Sequence, residues 1–154
     1  MLSLREITKD NWLDIIFMCS GEDQQNRIFE KTIASNCLSI AQASMDDQWT
    51  TRAIHDEDLL IGFTMFGYSN EMEGYELCRL MIDYRFQGKG YGKAALQLIL
   101  AEMKKQTTDS GILVCFQSDN SIAKKLYEQF GFKDTGRTIK GNVDELVYSN
   151  TFEG

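Results

Sequence analysis

Residues 85–93 read Arg-Phe-Gln-Gly-Lys-Gly-Tyr-Gly-Lys, with Gly88, Gly90 and Gly92 at every second position. An apolar run, residues 77–82, precedes this stretch, and a strongly helical segment, residues 93–105, follows it. A strand that passes through a glycine-rich turn into a helix leaves the first helical N–H groups without intrahelical partners. Glycine lets a ligand approach them closely. Those donors and the positive end of the helix dipole form a site for an anion, most often a phosphate. Two common phosphate loops fail on spacing. The dinucleotide pattern G-x-G-x-x-G requires a third glycine where Lys93 or Ala95 stands. The ATP-type loop G-x-x-x-x-G-K-[ST] requires glycine at Gln87 and a hydroxyl residue at Ala94. What remains is Q-x-x-G-x-G, from Gln87, Gly90 and Gly92, or a flexible glycine turn with no ligand.

The rest of the chain bounds the classes of ligand. Its 154 residues are expected to form one domain, residues 1–154, large enough for a real core. The net charge of −7 argues against a nucleic-acid partner, which demands clustered Lys and Arg. It suits a cationic substrate or simple solubility. Cys19, Cys37, Cys78 and Cys115 are widely separated and form no C-x-x-C pair, and the chain has one histidine, so no metal site is expected. No run reaches the ~18 apolar residues of a membrane span, and no signal-peptide pattern opens the sequence. A cytoplasmic protein with reduced thiols, and no membrane partner, is the expectation. Proline is absent, so Gly, Asn and Asp must make the turns.

The elements that would position the loop follow from periodicity. Leu2, Leu4 and Ile7 predict a short first strand. Thr8 or Asp10 can cap a helix carrying Trp12, Ile15, Ile16 and Cys19. Residues 21–47 predict two short helices with a break near Asn36. Residues 49–54 and 59–68 predict antiparallel strands joined by an acidic turn, residues 55–58. A polar turn, residues 69–74, leads to a strand over residues 75–83 that feeds the glycine loop. Gly111 opens a strand, residues 112–116, whose continuous apolar run predicts burial on both faces. Asn120 can cap a helix with Ile122, Ala123, Leu126, Tyr127 and Phe130 on one face, ended by Gly131. Residues 132–139 and 143–148 predict the last two strands, turned at Lys140-Gly141-Asn142. The order describes an α+β domain with a mixed, mostly antiparallel sheet of six to seven strands flanked by helices.

Three linked features in this order resemble the GCN5-related N-acetyltransferase (GNAT) family. They are the strand ending Leu80-Met81-Ile82-Asp83, the loop from Gln87 to Gly92 with its helix, and Asn120 followed by Leu126-Tyr127-Glu128-Gln129-Phe130-Gly131-Phe132. Within it, Trp49-Thr50, Met65-Phe66-Gly67-Tyr68, Arg79 to Asp83, and Ala34-Ser35-Asn36 with Ser39 and Ala41-Gln42-Ala43 resemble the bacterial spermidine/spermine (diamine) N-acetyltransferases. One departure bears on the substrate. The acidic residue expected just before Trp49 is Gln48 here.

The resemblance implies the GNAT fold and acetyl-CoA as co-substrate, with a small-molecule amine as acceptor. It implies that backbone N–H groups of Gln87, Gly88, Lys89, Gly90, Tyr91, Gly92 and Lys93 grip the pyrophosphate. Lys89 and Lys93 add charge there, or stand solvated. Main-chain groups near Leu80, Met81 and Ile82 pair with the pantetheine arm, and Asn120 contacts the arm or only caps its helix.

Acetyl transfer needs a neutral amine, a stabilised thioester oxygen and a proton for the leaving thiolate. Within the family motif, Tyr127 is the expected general acid. The amine's proton acceptor is left among Glu76, Glu73, Glu22 and Asp47, with Glu76 the leading catalytic candidate. Glu22, Asp47, Trp49 and Glu73 are the candidate substrate-binding residues, and each carboxylate can equally be a solvated surface group. His55 is expected to be structural. The acceptor is expected to be a polyamine or diamine such as spermidine or spermine. An aminoglycoside, an amino acid or a protein N-terminus is the alternative, as is a non-catalytic acyl-CoA-binding module. A homodimer is the common arrangement if the chain self-associates.

Overall fold

Seven strands pair into one sheet in the order β1–β2–β3–β4–β5–β7–β6. The structure, a computed structural model, describes residues 1–20, 35–141 and 143–151. In chain order its elements are β1 (Leu2–Arg5), α1 (Trp12–Phe17), α2 (Asn36–Met45), β2 (Trp49–Asp56), β3 (Leu59–Ser69) and β4 (Gly74–Ile82). A 3-10 turn (Tyr84–Phe86) then leads to α3 (Tyr91–Gln106), β5 (Gly111–Gln117), α4 (Ser121–Gln129), β6 (Lys133–Ile139) and β7 (Glu145–Thr151). Every neighbouring pair is antiparallel except β4 with β5. This is the expected α+β GNAT fold. No helix among the described residues is long and apolar enough to cross a membrane.

The sheet separates two apolar layers. Ile54, Phe66, Leu77, Leu96, Ile99 and Val114 belong to the layer that α3 and α4 cover. Ile15, Met18, Ala53, Phe63, Met65 and Met81 form the layer beneath α1 and α2. Side chains alternate between faces along a strand, so a bulge flips every residue beyond it. Two bulges do this here. The register shifts between Ile54 and His55, and again between Met65 and Phe66, where Met65 pairs with Arg79 and Phe66 with Leu77. Cys78 is the extra residue of the second bulge. Tyr75 and Leu77 therefore face the α3 layer before it, and Leu80 and Ile82 return to that layer after it, while Met81 faces the α1–α2 layer.

Local chemistry explains where the elements depart from the periodicity. His55 and Asp56 continue β2, because His55 pairs with Ser3 and Leu60 and is buried, so the turn shrinks to Glu57 and Asp58. Glu57 takes a left-handed φ of 53° there. Thr8 and Asp10 do not cap α1. The cap position is Asn11, whose side chain accepts from the Thr8 amide at 2.8 Å and closes the turn before the helix. Cys19 lies past the end of α1 at Phe17, since Met18 is already extended. The second of the two predicted helices starts at the expected break, with Ser35 as its cap, accepting from the Leu38 amide at 3.1 Å. The first, like the turn residue Asn142, lies outside the described residues. β5 is not buried evenly on both faces. Ile112, Val114 and Phe116 are buried, whereas Leu113 and Cys115 are only half-buried. Phe132 leaves the edge strand and fills the core, and β7 begins at Glu145, two residues after the exposed Val143.

Candidate active site

β4 and β5 share a single register pair, Glu76 with Leu113. Beyond it the strands diverge, and among the described residues the edge of β4 from Cys78 to Ile82 has no ladder partner on that side. Unpaired main-chain donors and acceptors in a sheet interior must find other partners. A cavity of about 380 Å³ occupies the opening. Leu80, Met81 and Ile82 line one wall, Cys115 and Phe116 the other, and Asn120 and Tyr127 close it from α4. Gln87, Gly88, Gly90, Tyr91 and Gly92 form its outer rim.

The rim is held by its own side chains. The Gln87 amide donates to the Ile82 carbonyl at 2.9 Å, folding the loop back onto the end of β4. Asp83, almost fully buried, takes a two-pronged bond from Arg85, at 3.0 and 3.1 Å. Gly88 and Gly90 adopt φ of 77° and 82°, a region that only glycine enters without strain. Gly92 differs. It lies in the first turn of α3 without a left-handed φ, and a Cβ there would meet nothing within 4 Å. Among the described residues no atom demands glycine at that position, so the open space is available to a ligand. The first intrahelical bond of α3 runs from Ala94 to the Gly90 carbonyl, and no side chain caps the helix. The amides of Tyr91, Gly92 and Lys93 therefore lack helical partners, and the dipole of a 16-residue helix adds positive potential. Tyr91 fixes the start of α3 by donating its hydroxyl to Asp56 at 2.6 Å. This arrangement fits a pyrophosphate.

Tyr127 reaches the opening from α4. Asn120 caps that helix, accepting from the Ala123 amide at 3.1 Å, so the spacing of Asn120 and Tyr127 is set by two helical turns. The Tyr127 ring stacks on Phe116 with centroids 5.7 Å apart and meets Phe132 edge-on at 5.5 Å. Its hydroxyl makes no hydrogen bond to the described residues. Burial, with Cys115 adding to it, pushes the phenol up to about 12. The group therefore holds its proton throughout the neutral range and has it available to donate.

The remaining predicted residues lie elsewhere. Glu76 alternates with Tyr75 and Leu77 of the α3 layer, so its side chain projects from the opposite face, and it is not part of the cavity lining. Burial raises its carboxyl above the ordinary 4.5, against the Ser69 hydroxyl and Arg79. Lys89 and Lys93 are exposed beside the rim, with the Lys89 ammonium 5.9 Å from the Phe86 ring centre. Trp49 packs on the layer beneath α1 and α2. Asp47 and Glu73 are exposed and stand outside the cavity, Glu73 with a left-handed φ of 56°. Glu22 lies outside the described residues. Among the described residues no three His, Cys, Asp or Glu side chains converge as a metal site.

Among the cavity residues to which sequence reasoning gave no site role are Asn36, Cys78, Arg79, Cys115 and Glu145. Asn36 is buried and donates to the Ile15 carbonyl at 2.7 Å, tying α2 to α1 at the cavity wall. Cys78 and Cys115 read as buried small hydrophobes, and burial does push both thiols well up, Cys78 to about 12. What periodicity could not show is that they flank the diverging strands. Glu145 becomes a neighbour of this site only because β7 lies between β5 and β6.

Residues 4–132 match the model of the acetyltransferase (GNAT) family. The chain is 26% identical over 141 residues to the spermine/spermidine N(1)-acetyltransferase of Bacillus subtilis, spanning 88% of this chain and 90% of that protein. Among solved structures, the spermidine N-acetyltransferase of Vibrio cholerae in complex with CoA and spermine superposes with a TM-score of 0.79 at 18% identity, over 97% and 95% of the two chains. An aminoglycoside acetyltransferase in complex with coenzyme A superposes with a TM-score of 0.78 at 13% identity, over 98% and 95%. These superpositions report a shared fold. With a family match over most of its length, a sheet that opens between β4 and β5, and an anion-binding rim at that opening, the chain belongs to the GNAT family of acetyl-CoA-dependent N-acetyltransferases.

Proposed function

We propose that the protein transfers an acetyl group directly to a primary amine of a polyamine or diamine, such as spermidine or spermine, in the cytoplasm. The observation that carries this reading is the one cavity lined by the glycine rim, the unpaired edge of β4 and Tyr127 together. Acetyl-CoA supplies the thioester carbon that the amine attacks. Backbone N–H groups of residues 87–93 hold the pyrophosphate, with Lys89 and Lys93 adding charge from solvent. Main-chain groups of Leu80, Met81 and Ile82 pair with the pantetheine arm, and Asn120 contacts it from the cap of α4. Backbone N–H groups at the end of β4 stabilise the charge that develops on the thioester oxygen. Tyr127 gives its proton to the leaving sulfur. Glu76, raised by burial, accepts the amine's proton through water.

A polyamine acceptor is supported by the relatedness to the Bacillus subtilis enzyme and by the net charge of −7. Glu22, Asp47, Trp49 and Glu73 are then sites of contact along the cationic chain, away from the reacting nitrogen. The aminoglycoside acetyltransferase, superposing almost as well, favours a second reading with another amine acceptor. Thiol release from acetyl-CoA, followed with spermidine, spermine, putrescine, an aminoglycoside and an amino acid, tests both. Turnover confined to the polyamines is the expected result. Turnover with the aminoglycoside alone replaces the acceptor, and none with any amine removes the reading.

A further inference from the structure

Among the described residues, Glu145 is the one carboxylate that lines the cavity with Tyr127. It opens β7, opposite Gln117 of β5 and Ile139 of β6, and Val147 two residues on stands opposite Cys115. Leu146 and Tyr148 pack into the α3–α4 layer, so the alternation sends Glu145 to the other face of the sheet. Tyr127 thus approaches the opening from one face and Glu145 from the other. Glu76, the leading candidate from sequence, shares the Glu145 face but stands outside the cavity lining, with Ser69 beside its carboxylate.

The Glu145 side chain is half-buried and makes no hydrogen bond or ion pair to the described residues. Arg79 lies within electrostatic range, but its guanidinium is bonded to the carbonyl and the sulfur of Cys78, at 3.0 and 2.9 Å. Glu71 and Glu76 add negative charge to the same region, and Arg137 of β6, which donates to the Met72 carbonyl at 3.3 Å, adds positive charge near Cys115. A half-buried carboxylate without a partner is costly unless a cation completes it. Glu145 is a lining residue of the cavity, where a cationic ligand can supply that charge.

We propose that Glu145 is the specificity-determining residue of the acceptor site, the carboxylate that receives the ammonium group of the amine on the face of the sheet opposite Tyr127. This rests on the function proposed above and adds to it the direction of approach. Glu145 selects a compact, hydrogen-bonding cation over a neutral acceptor, and it aligns the nitrogen with the opening between Cys78 and Cys115.

The test compares Glu145→Gln, Glu145→Asp and Glu76→Gln with the wild type, using spermidine and acetyl-CoA as variable substrates and melting temperature as a control for folding. Glu145→Gln is expected to raise the KM for spermidine about tenfold or more, the size of a lost hydrogen bond between charged groups. The KM for acetyl-CoA stays within about twofold, because the pyrophosphate rim is untouched. Glu145→Asp keeps the charge and restores part of the loss. Glu76→Gln lowers kcat more than it alters the KM for spermidine. An unchanged KM for spermidine in an active Glu145→Gln enzyme overturns this inference alone. So does a parallel rise in both KM values with a lower melting temperature in both Glu145 variants. A wild-type protein inert toward every amine overturns the function reading, and this inference with it.

Discussion

The amide of Phe132 donates to the carbonyl of Tyr127 at 3.1 Å, and the two rings meet edge-on 5.5 Å apart. Gly131, with a φ of 84°, lets the chain reverse between them. The sequence Tyr127-(three residues)-Gly131-Phe132 is therefore a device that ends α4 and clamps its last turn, so that one phenol is held rigidly at the opening of the sheet. A ring held on two sides by Phe116 and Phe132 loses little rotamer freedom when it acts.

Tyr127→Phe separates the hydroxyl from the ring. With the packing retained and a hydroxyl that has no partner among the described residues removed, stability is expected to hold. Turnover is expected to fall by about a hundred- to ten-thousand-fold, the range of general acid catalysis. Affinity for acetyl-CoA should stay within about twofold, because the anion-binding rim lies elsewhere in the cavity. Melting curves, steady-state rates and calorimetric titration with acetyl-CoA on the same samples check the three values.

Gly92→Ala sets stability against binding. Alanine suits a helical position better than glycine, and nothing stands within 4 Å of the added Cβ. The protein should become more stable by about 0.5–1 kcal/mol. The same methyl group occupies the space in front of the free amides of α3, so acetyl-CoA binding should weaken by roughly tenfold or more, about one charge-assisted hydrogen bond. Denaturant unfolding and titration with acetyl-CoA measure the two effects, which are opposite in sign.

His55 gives the fold an acid sensitivity. Burial, with Arg5 adding to it, lowers the imidazole below its ordinary 6.5, and its Nδ1 is buried without a partner. The unfolded chain then binds the proton more readily than the folded one. Stability is full above about pH 6.5 and is lost as pH falls through that value toward the folded one. Glu76 and Glu145, raised by burial, act in the opposite sense from about 4.5 upward, so the informative quantity is a difference. His55→Leu should flatten the fall of the melting temperature between about pH 7 and pH 5. Since His55 is the only histidine in the chain, no other imidazole can supply that slope.

The residues themselves show which parts of this site were legible. Gln87, Gly90 and Gly92 could be read because a free helix N-terminus is a local property. Asn120 and Gly131 could be read for the same reason, as the start and stop of one helix. Glu76 could not be aimed from its neighbours alone, because the bulge at Cys78 and the packing of Tyr75 and Leu77 decide which face it takes. Glu145 was illegible. Its place beside the cavity depends on β7 lying between β5 and β6, so that it pairs with β5, two strands earlier in the chain. The opening of the sheet was likewise invisible in composition, since it arises where the ladder between β4 and β5 stops after one pair.

Direct transfer from acetyl-CoA to an amine at the opening between β4 and β5 leaves no acetyl group on the protein. Mass spectrometry of both amine and protein, after incubation with isotope-labelled acetyl-CoA and spermidine, tests it in one sample. Label is expected in a monoacetylated spermidine, with none retained on the protein and that product lost in Tyr127→Phe. Unmodified spermidine beside intact acetyl-CoA, or label held covalently on a cysteine of the protein, would contradict it.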